Sequence, residues 1–102
     1  MSNWIKIEPG CEMPNNGDYI QLYRDDNGVF TGFYGNLAEN LLEKEVDGIL
    51  DFCIPNGTEE DKEAFAFNRI FWGMYFDIGA CRLDDPSEMP THWAPLLQPP
   101  QQ

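Results

Sequence analysis

The groups best suited to acid–base, nucleophilic or metal chemistry in this chain are one histidine, three cysteines and 18 acidic side chains, and their spacing limits what they can do. His92 is the sole imidazole, so any general-base scheme has to run through it. It lies between Thr91 and Trp93 in a stretch expected to form a packed strand, with no Ser or Cys in a recognisable catalytic motif around it, so a structural histidine is expected. Cys11, Cys53 and Cys81 are odd in number and widely spaced, with no CxxC or Cys/His pair. That pattern argues against a disulfide framework and a zinc site, and it suits a reducing cytoplasm. Asp25-Asp26-Asn27-Gly28 could suggest a calcium loop, but the spaced oxygen ligands and the distal bidentate Glu are missing. No GxGxxG, Walker A, HExxH or GxSxG pattern occurs, so the expectation is a protein with no catalytic residues, no metal and no cofactor.

The acids are more informative as a surface. With six basic residues against them, the formal charge is −12 at pH 7. Such a surface repels phosphate, anionic lipid and acidic substrates and attracts basic protein surfaces at long range. Lys6, Arg24, Lys44, Lys62, Arg69 and Arg82 are scattered singly, whereas neutralising a phosphate backbone needs them clustered, so direct nucleic-acid binding is disfavoured. The longest apolar stretch, Ile70 to Phe76, is far shorter than a membrane span, and the first residues lack the pattern of a secretory leader. A soluble, cytoplasmic protein with no membrane partner is expected. Nine of the 18 acids fall in one run with only Lys44 and Lys62: Glu39, Glu43, Glu45, Asp47, Asp51, Glu59, Glu60, Asp61 and Glu63. If the helices carrying them share one side of the domain, their outer faces present rows of carboxylates comparable with duplex phosphates, which come at about 1.7 Å of axis per charge. Such rows can occupy the basic groove of a nucleic-acid-binding protein. The plainer alternative is that they are the solvated faces of ordinary helices.

These side chains need a scaffold, and the chain is long and apolar enough for one domain, with 42% hydrophobic and 14% aromatic residues. The expected class is α+β: a small antiparallel sheet with one or two short helices on one side, over residues 1–97, followed by a flexible Pro/Gln tail at 98–102. It should fold by itself or with a copy of itself as a homodimer. Strands are predicted at 4–7, 19–23 and 29–34, the last two joined as a hairpin in which Asn27-Gly28 supplies two positive-φ residues. Asn36 is predicted to cap a helix carrying Leu37, Leu41, Leu42 and Val46 on one face, with Gly48 as its stop. Residues 49–54 read as a buried strand. Thr58 caps a second helix from Glu59 to about Phe67, and Ile70 to Phe76 forms a core strand. Asp84-Asp85-Pro86 is a turn.

Trp4-Ile5-x-Ile7, then Pro14-x-x-Gly17-x-Tyr19-Ile20, and finally Thr91-His92-Trp93-x-Pro95-Leu96 followed by Pro99-Pro100, resemble the two ends of the domain-of-unknown-function 551 family. The resemblance implies a bacteriophage or prophage origin and a compact β-rich scaffold, and it supplies no activity. The acidic middle, Leu37 to Phe67, departs from the short turn expected there. Trp4 and Trp93 are suited to clasping the two termini together, because an indole buries a large area and offers one N–H to a carbonyl. Charge and resemblance together suggest a phage interaction protein that inhibits a host nucleic-acid-binding protein, such as a restriction or CRISPR effector, by occupying its basic surface. Carboxylates would steer association, and exposed members of Phe30, Phe33, Tyr34 and Tyr75 would anchor it, with Phe33 and Tyr34 placed in the site. The alternatives are a small-ligand module with an apolar pocket for a nucleotide-like or other aromatic molecule at the Trp4/Trp93 clasp, and a minor virion assembly protein.

Overall fold

A computed structural model describes residues 4–75 and 79–96. Along the chain come β1 (Ile5–Lys6), β2 (Tyr19–Arg24), β3 (Gly28–Gly35), α1 (Leu37–Asn40), α2 (Glu43–Cys53), α3 (Glu59–Phe67), β4 (Ile70–Tyr75), β5 (Gly79–Arg82) and β6 (His92–Pro95). The strands form a single antiparallel sheet in the order β1-β6-β2-β3-β4-β5. This is the expected α+β class, with the sheet larger than foreseen and three helices on one of its faces.

Alternation along the strands sorts the core into two clusters. On one face Ile20, Leu22, Phe71, Leu83 and Trp93 pack together, joined by Ile5, Ile7 and Met89. On the other, Phe33, Trp72 and Ala80 meet Leu37, Ile49, Leu50 and Ala66 from the helices. Trp72 is fully buried, stacked on Phe33 at 6.2 Å between centroids and edge-on to Phe65 at 5.8 Å. Its indole N–H donates to the Gly35 carbonyl at 2.9 Å, so the large apolar ring enters the core without leaving a donor unpaired.

The β2–β3 hairpin forms with Tyr19 opposite Phe33 and Arg24 opposite Gly28. Its turn differs from the expected two-residue form. The Asn27 N–H donates to the Arg24 carbonyl at 3.0 Å, and only Gly28, at φ +70°, takes the left-handed conformation. An ordinary turn followed by one left-handed glycine closes a longer loop, which spares Asn27 the cost of positive φ.

The stretch between β3 and β4 corrects two expectations. Asn36 caps as foreseen, accepting the Glu39 N–H at 2.9 Å, but α1 ends at Asn40, and the chain extends through Leu41 and Leu42 before α2 begins. Residues 49–54, expected as a strand, are the second half of α2 and its cap. Val46, Ile49, Leu50 and Cys53 fall on one face at helical spacing, and a short apolar run is ambiguous between strand and helix until the residues before it are counted in the same period. Gly48 does not stop the helix. A Cβ there would meet nothing within 4 Å, so it sits on the open side of α2 and only weakens it. Thr58 caps α3 as expected, accepting the Asp61 N–H at 3.1 Å.

The termini meet through strand pairing rather than an indole clasp. Ile5 lies opposite Trp93 in the β1–β6 ladder, and Trp93 belongs to the face without helices, donating its indole N–H to the Glu12 carbonyl at 2.9 Å. Trp4 packs instead against Tyr23 at 6.0 Å, beside His92 on the other face. β5 was not foreseen. Phe76, at the end of the predicted strand 70–76, and the predicted tail lie outside the described residues.

Two outcomes follow for stability. Gly48→Ala should stabilise the protein by about 0.5–1 kcal/mol, read as a higher urea midpoint with an unchanged slope. In the turn before β6, the Ser87 hydroxyl and then its backbone N–H hold the Asp85 carboxylate below the usual aspartate range, at 2.7 and 2.9 Å. A carboxyl with a lowered native pKa adds stability above its unfolded pKa and loses it as the pH falls through the native value. The stability difference between wild type and Ser87→Ala should therefore be present at neutral pH and shrink on acidification; a pH-independent difference would remove the carboxylate from the account.

Candidate functional site

The acidic run lies almost entirely on α2 and α3, and the way these helices dock decides which carboxylates meet. Ile49 and Leu50 anchor α2, at 2% and 7% exposed, and Ala66 anchors α3 at 5%. On α2, Glu43, Asp47 and Asp51 repeat every four residues and so form one stripe along the flank of that buried face. Glu59 and Glu63 make the matching stripe on α3. Between the helices the stripes face each other across an open notch of about 560 Å³, lined by Asp47, Leu50, Asp51, Glu59, Lys62 and Glu63.

Lys62 is the single cation in that lining. Its ammonium donates to Asp51 Oδ1 at 3.0 Å. The hydrogen bond to Asp51, with the charges of Asp51, Glu59 and Asp47, holds the ammonium above the usual lysine range against its partial desolvation. One ammonium against four carboxylates leaves the notch strongly negative. Among the described residues, no three or more His, Cys, Asp or Glu side chains are grouped to hold a metal ion.

The remaining acids are deployed differently. Glu45 reaches back to accept the Leu42 N–H at 3.1 Å, and Asp61 accepts the Thr58 N–H at 3.4 Å, so both serve first as caps of their own helices. The Glu39 carboxylate accepts a hydrogen bond from the Asn16 side-chain amide, tying α1 to the segment before β2. Glu60 is exposed on α3. The structure thus gathers Asp47, Asp51, Glu59 and Glu63 around one notch, with Glu43 continuing the α2 stripe, and places Glu39 elsewhere.

The expected aromatic anchors need correction. Phe33 is 0% exposed, held between Trp72 and the edge of Tyr19, so it is a core residue and no contact for a partner. Tyr34 is half-buried on the face without helices, 4.9 Å from Phe71, and so lies on the opposite side of the sheet from the acids. The exposed aromatics on the acidic helices are Phe52, at 67%, and Phe67, at 55%. Phe52 was hidden by reading 49–54 as a buried strand. Once Val46, Ile49, Leu50 and Cys53 are set on one helical face, Phe52 is the large residue left outside it.

The nucleophile candidates are poorly placed. Burial pushes the Cys53 thiol up against the opposing charge of Arg82, and burial, then Glu88, Cys53 and Asp84, push up Cys81. Both are thus held as thiols, the less reactive form. His92 is half-buried, its Nδ1 2.8 Å from the Thr91 hydroxyl and its ring edge-on to Tyr23. The chain matches no family model, no curated protein and no solved structure.

The two phenylalanines should separate cleanly in chemical denaturation. Phe33→Ala is expected to cost about 3–5 kcal/mol, and Phe52→Ala less than about 1 kcal/mol. A large loss from Phe52→Ala would return that residue to the core.

Proposed function

We propose that this chain is an interaction protein whose α2–α3 face occupies the basic, nucleic-acid-binding surface of a partner protein. The observation that carries the reading is the notch, where two helices from one excursion set four carboxylates around a single ammonium. That excursion departs from and returns to paired positions, since Gly35 lies directly opposite Ile70, so the β3–β4 ladder is continuous at the base of the acidic helices. Binding residues carried on such excursions over a rigid scaffold are a common arrangement.

Magnitudes set the size of the partner site. A four-residue repeat spaces charges about 6 Å along a helix, so two stripes together give about one charge per 3 Å, roughly half the density of a duplex. The α2 stripe spans about 12 Å, against about 34 Å for one turn of DNA. The face therefore suits a local cluster of Lys and Arg rather than a full duplex channel. Phe52 and Phe67 supply apolar contacts near the carboxylates, as interfaces with polar rims require. The resemblance of the chain's ends to a phage-associated family makes a host defence protein in the bacterial cytoplasm the leading partner, with restriction and CRISPR effectors as the first to assay.

The decisive comparison is between wild type and a variant carrying Asp47→Asn, Asp51→Asn, Glu59→Gln and Glu63→Gln. Binding to such an effector should be blocked by a duplex oligonucleotide, and raising salt from about 50 to about 300 mM should slow association at least about tenfold. The variant should associate at least about tenfold more slowly at low salt. Association that ignores both salt and the four substitutions would remove the acidic face from the function.

A further inference from the structure

A second surface is built where β2 begins and β6 ends. There the segment before β2 and the last residues of β6 enclose an open trough of about 680 Å³ that shares no residue with the acidic notch. Among the described residues eight large hydrophobics are exposed, and three of them, Met13 (42%), Tyr19 (48%) and Leu96 (37%), border this trough. Ile20, at 2% exposed, and Trp93, at 6%, also line it, from the sheet face opposite to that of Tyr19, which packs edge-on to Phe33.

The walls are set in advance. The Trp93 indole N–H holds the Glu12 carbonyl at 2.9 Å, and the Gly17 N–H donates to the Tyr34 carbonyl at 2.7 Å. Gly17 takes φ +87°, and a Cβ there would run into the Asn40 side chain, so this residue type fixes the path of the wall. A site whose walls are already hydrogen-bonded avoids part of the ordering cost of binding.

Charge and shape select the occupant. The exposed carboxylates Glu12 and Asp18 line the trough, and among the described residues no Lys, Arg or His does, so an anionic ligand is repelled and a cationic one attracted. A compact small molecule is poorly served, because a small-ligand site encloses most of its ligand and this trough is open to solvent. An extended peptide leaves one side in water and needs only pockets for some of its side chains; the exposed Tyr19 and Pro95 offer flat apolar surfaces of the kind that proline-containing segments use. We infer that this trough docks an extended segment of a partner protein, with proline or another apolar residue against Tyr19 and a neighbouring Lys or Arg against Glu12 and Asp18.

The test is selection of random displayed dodecapeptides on the immobilised full chain, followed by titration of the best synthetic peptide into the ¹⁵N-labelled protein. Enrichment of Lys or Arg beside proline or another apolar residue is expected, with shifts at the Gly17, Asp18, Tyr19 and Leu96 amides and the Trp93 indole N–H. Affinity should fall about three- to tenfold in the Glu12→Gln/Asp18→Asn double variant and at least about tenfold in Tyr19→Ala. Both substituted carboxylates are exposed, so the double variant remains informative if Tyr19→Ala loses its fold. The four-residue notch variant should bind the peptide as wild type does, which keeps this outcome separate from that of the acidic helices. No enrichment, enrichment without basic residues, shifts away from the trough, or binding only after removal of residues 97–102 would each overturn the assignment, the last because the chain's own tail would be the occupant.

Discussion

The indole of Trp72 has two demands to meet at once, a large apolar surface that must leave water and an N–H that must not be stranded when it does. Both are met at the point where the chain leaves the sheet. The ring lies between Phe33 of β3 and Phe65 of α3, and its N–H reaches the carbonyl of Gly35, the last residue of β3. Burying a ring of this kind contributes a few kcal/mol, and an unpaired donor in the same place would cancel about 1–3 kcal/mol of that. The Arg82 guanidinium over the Phe65 ring, 4.6 Å from its centroid, joins β5 to the same arrangement. One side chain therefore relates the sheet, the start of the helical excursion and the helix at its end.

With the inner faces of α2 and α3 committed to that core, their outer flanks are free to carry charge, and the electrostatic cost is tolerable because it is borne in water. Two unit charges 4 Å apart interact by about 1 kcal/mol in bulk water, and salt weakens this further. Lys62 offsets part of the repulsion locally through Asp51. Glu45 and Asp61, by capping the helices that carry the remaining acids, convert two of the charges into stabilising ones. The rest of the repulsion is retained in the isolated protein and would be relieved by a basic surface, which is the physical content of an acidic face as a binding device.

Much of this was legible in the chain. The β2–β3 hairpin, the Asn36 and Thr58 caps, α3, most of β4 and the α+β class all follow from local signals of period, cap chemistry and turn residues. The failures share a cause. Residues 49–54 and Gly48 read as strand and stop by composition over a few positions, while the helix that includes them is defined by contacts that Val46, Ile49, Leu50 and Cys53 make across the core. β5 is four residues, Gly-Ala-Cys-Arg, of which only Ala80 is buried, held by pairing to β4, and pairing across sequence leaves little local trace. Of the site, the acids were found by counting alone. Their division into notch, cap and tether depends on helix phase, which puts Asp51 beside Lys62 and Glu39 beside Asn16. Alternation along β3 gives Phe33 one of two faces, and helical period gives Phe52 a place off the buried stripe of α2, but only the tertiary arrangement says which face is covered.

The notch and the trough bear the same sign of charge but act over different distances. Opposed carboxylate stripes project a field over about a Debye length, about 8 Å at physiological salt, and so bear on how often a basic partner arrives in a useful orientation. Tyr19, Met13 and Leu96 act only at contact, where burying apolar area slows departure. A partner engaging both would show an association rate governed by salt and a dissociation rate governed by the trough, and separating the two needs no more than kinetics at two ionic strengths. A partner engaging only one would show which surface the rigid sheet serves, since Tyr19, at the start of β2, lies opposite Phe33, two residues before β3 hands over to the helices at Gly35.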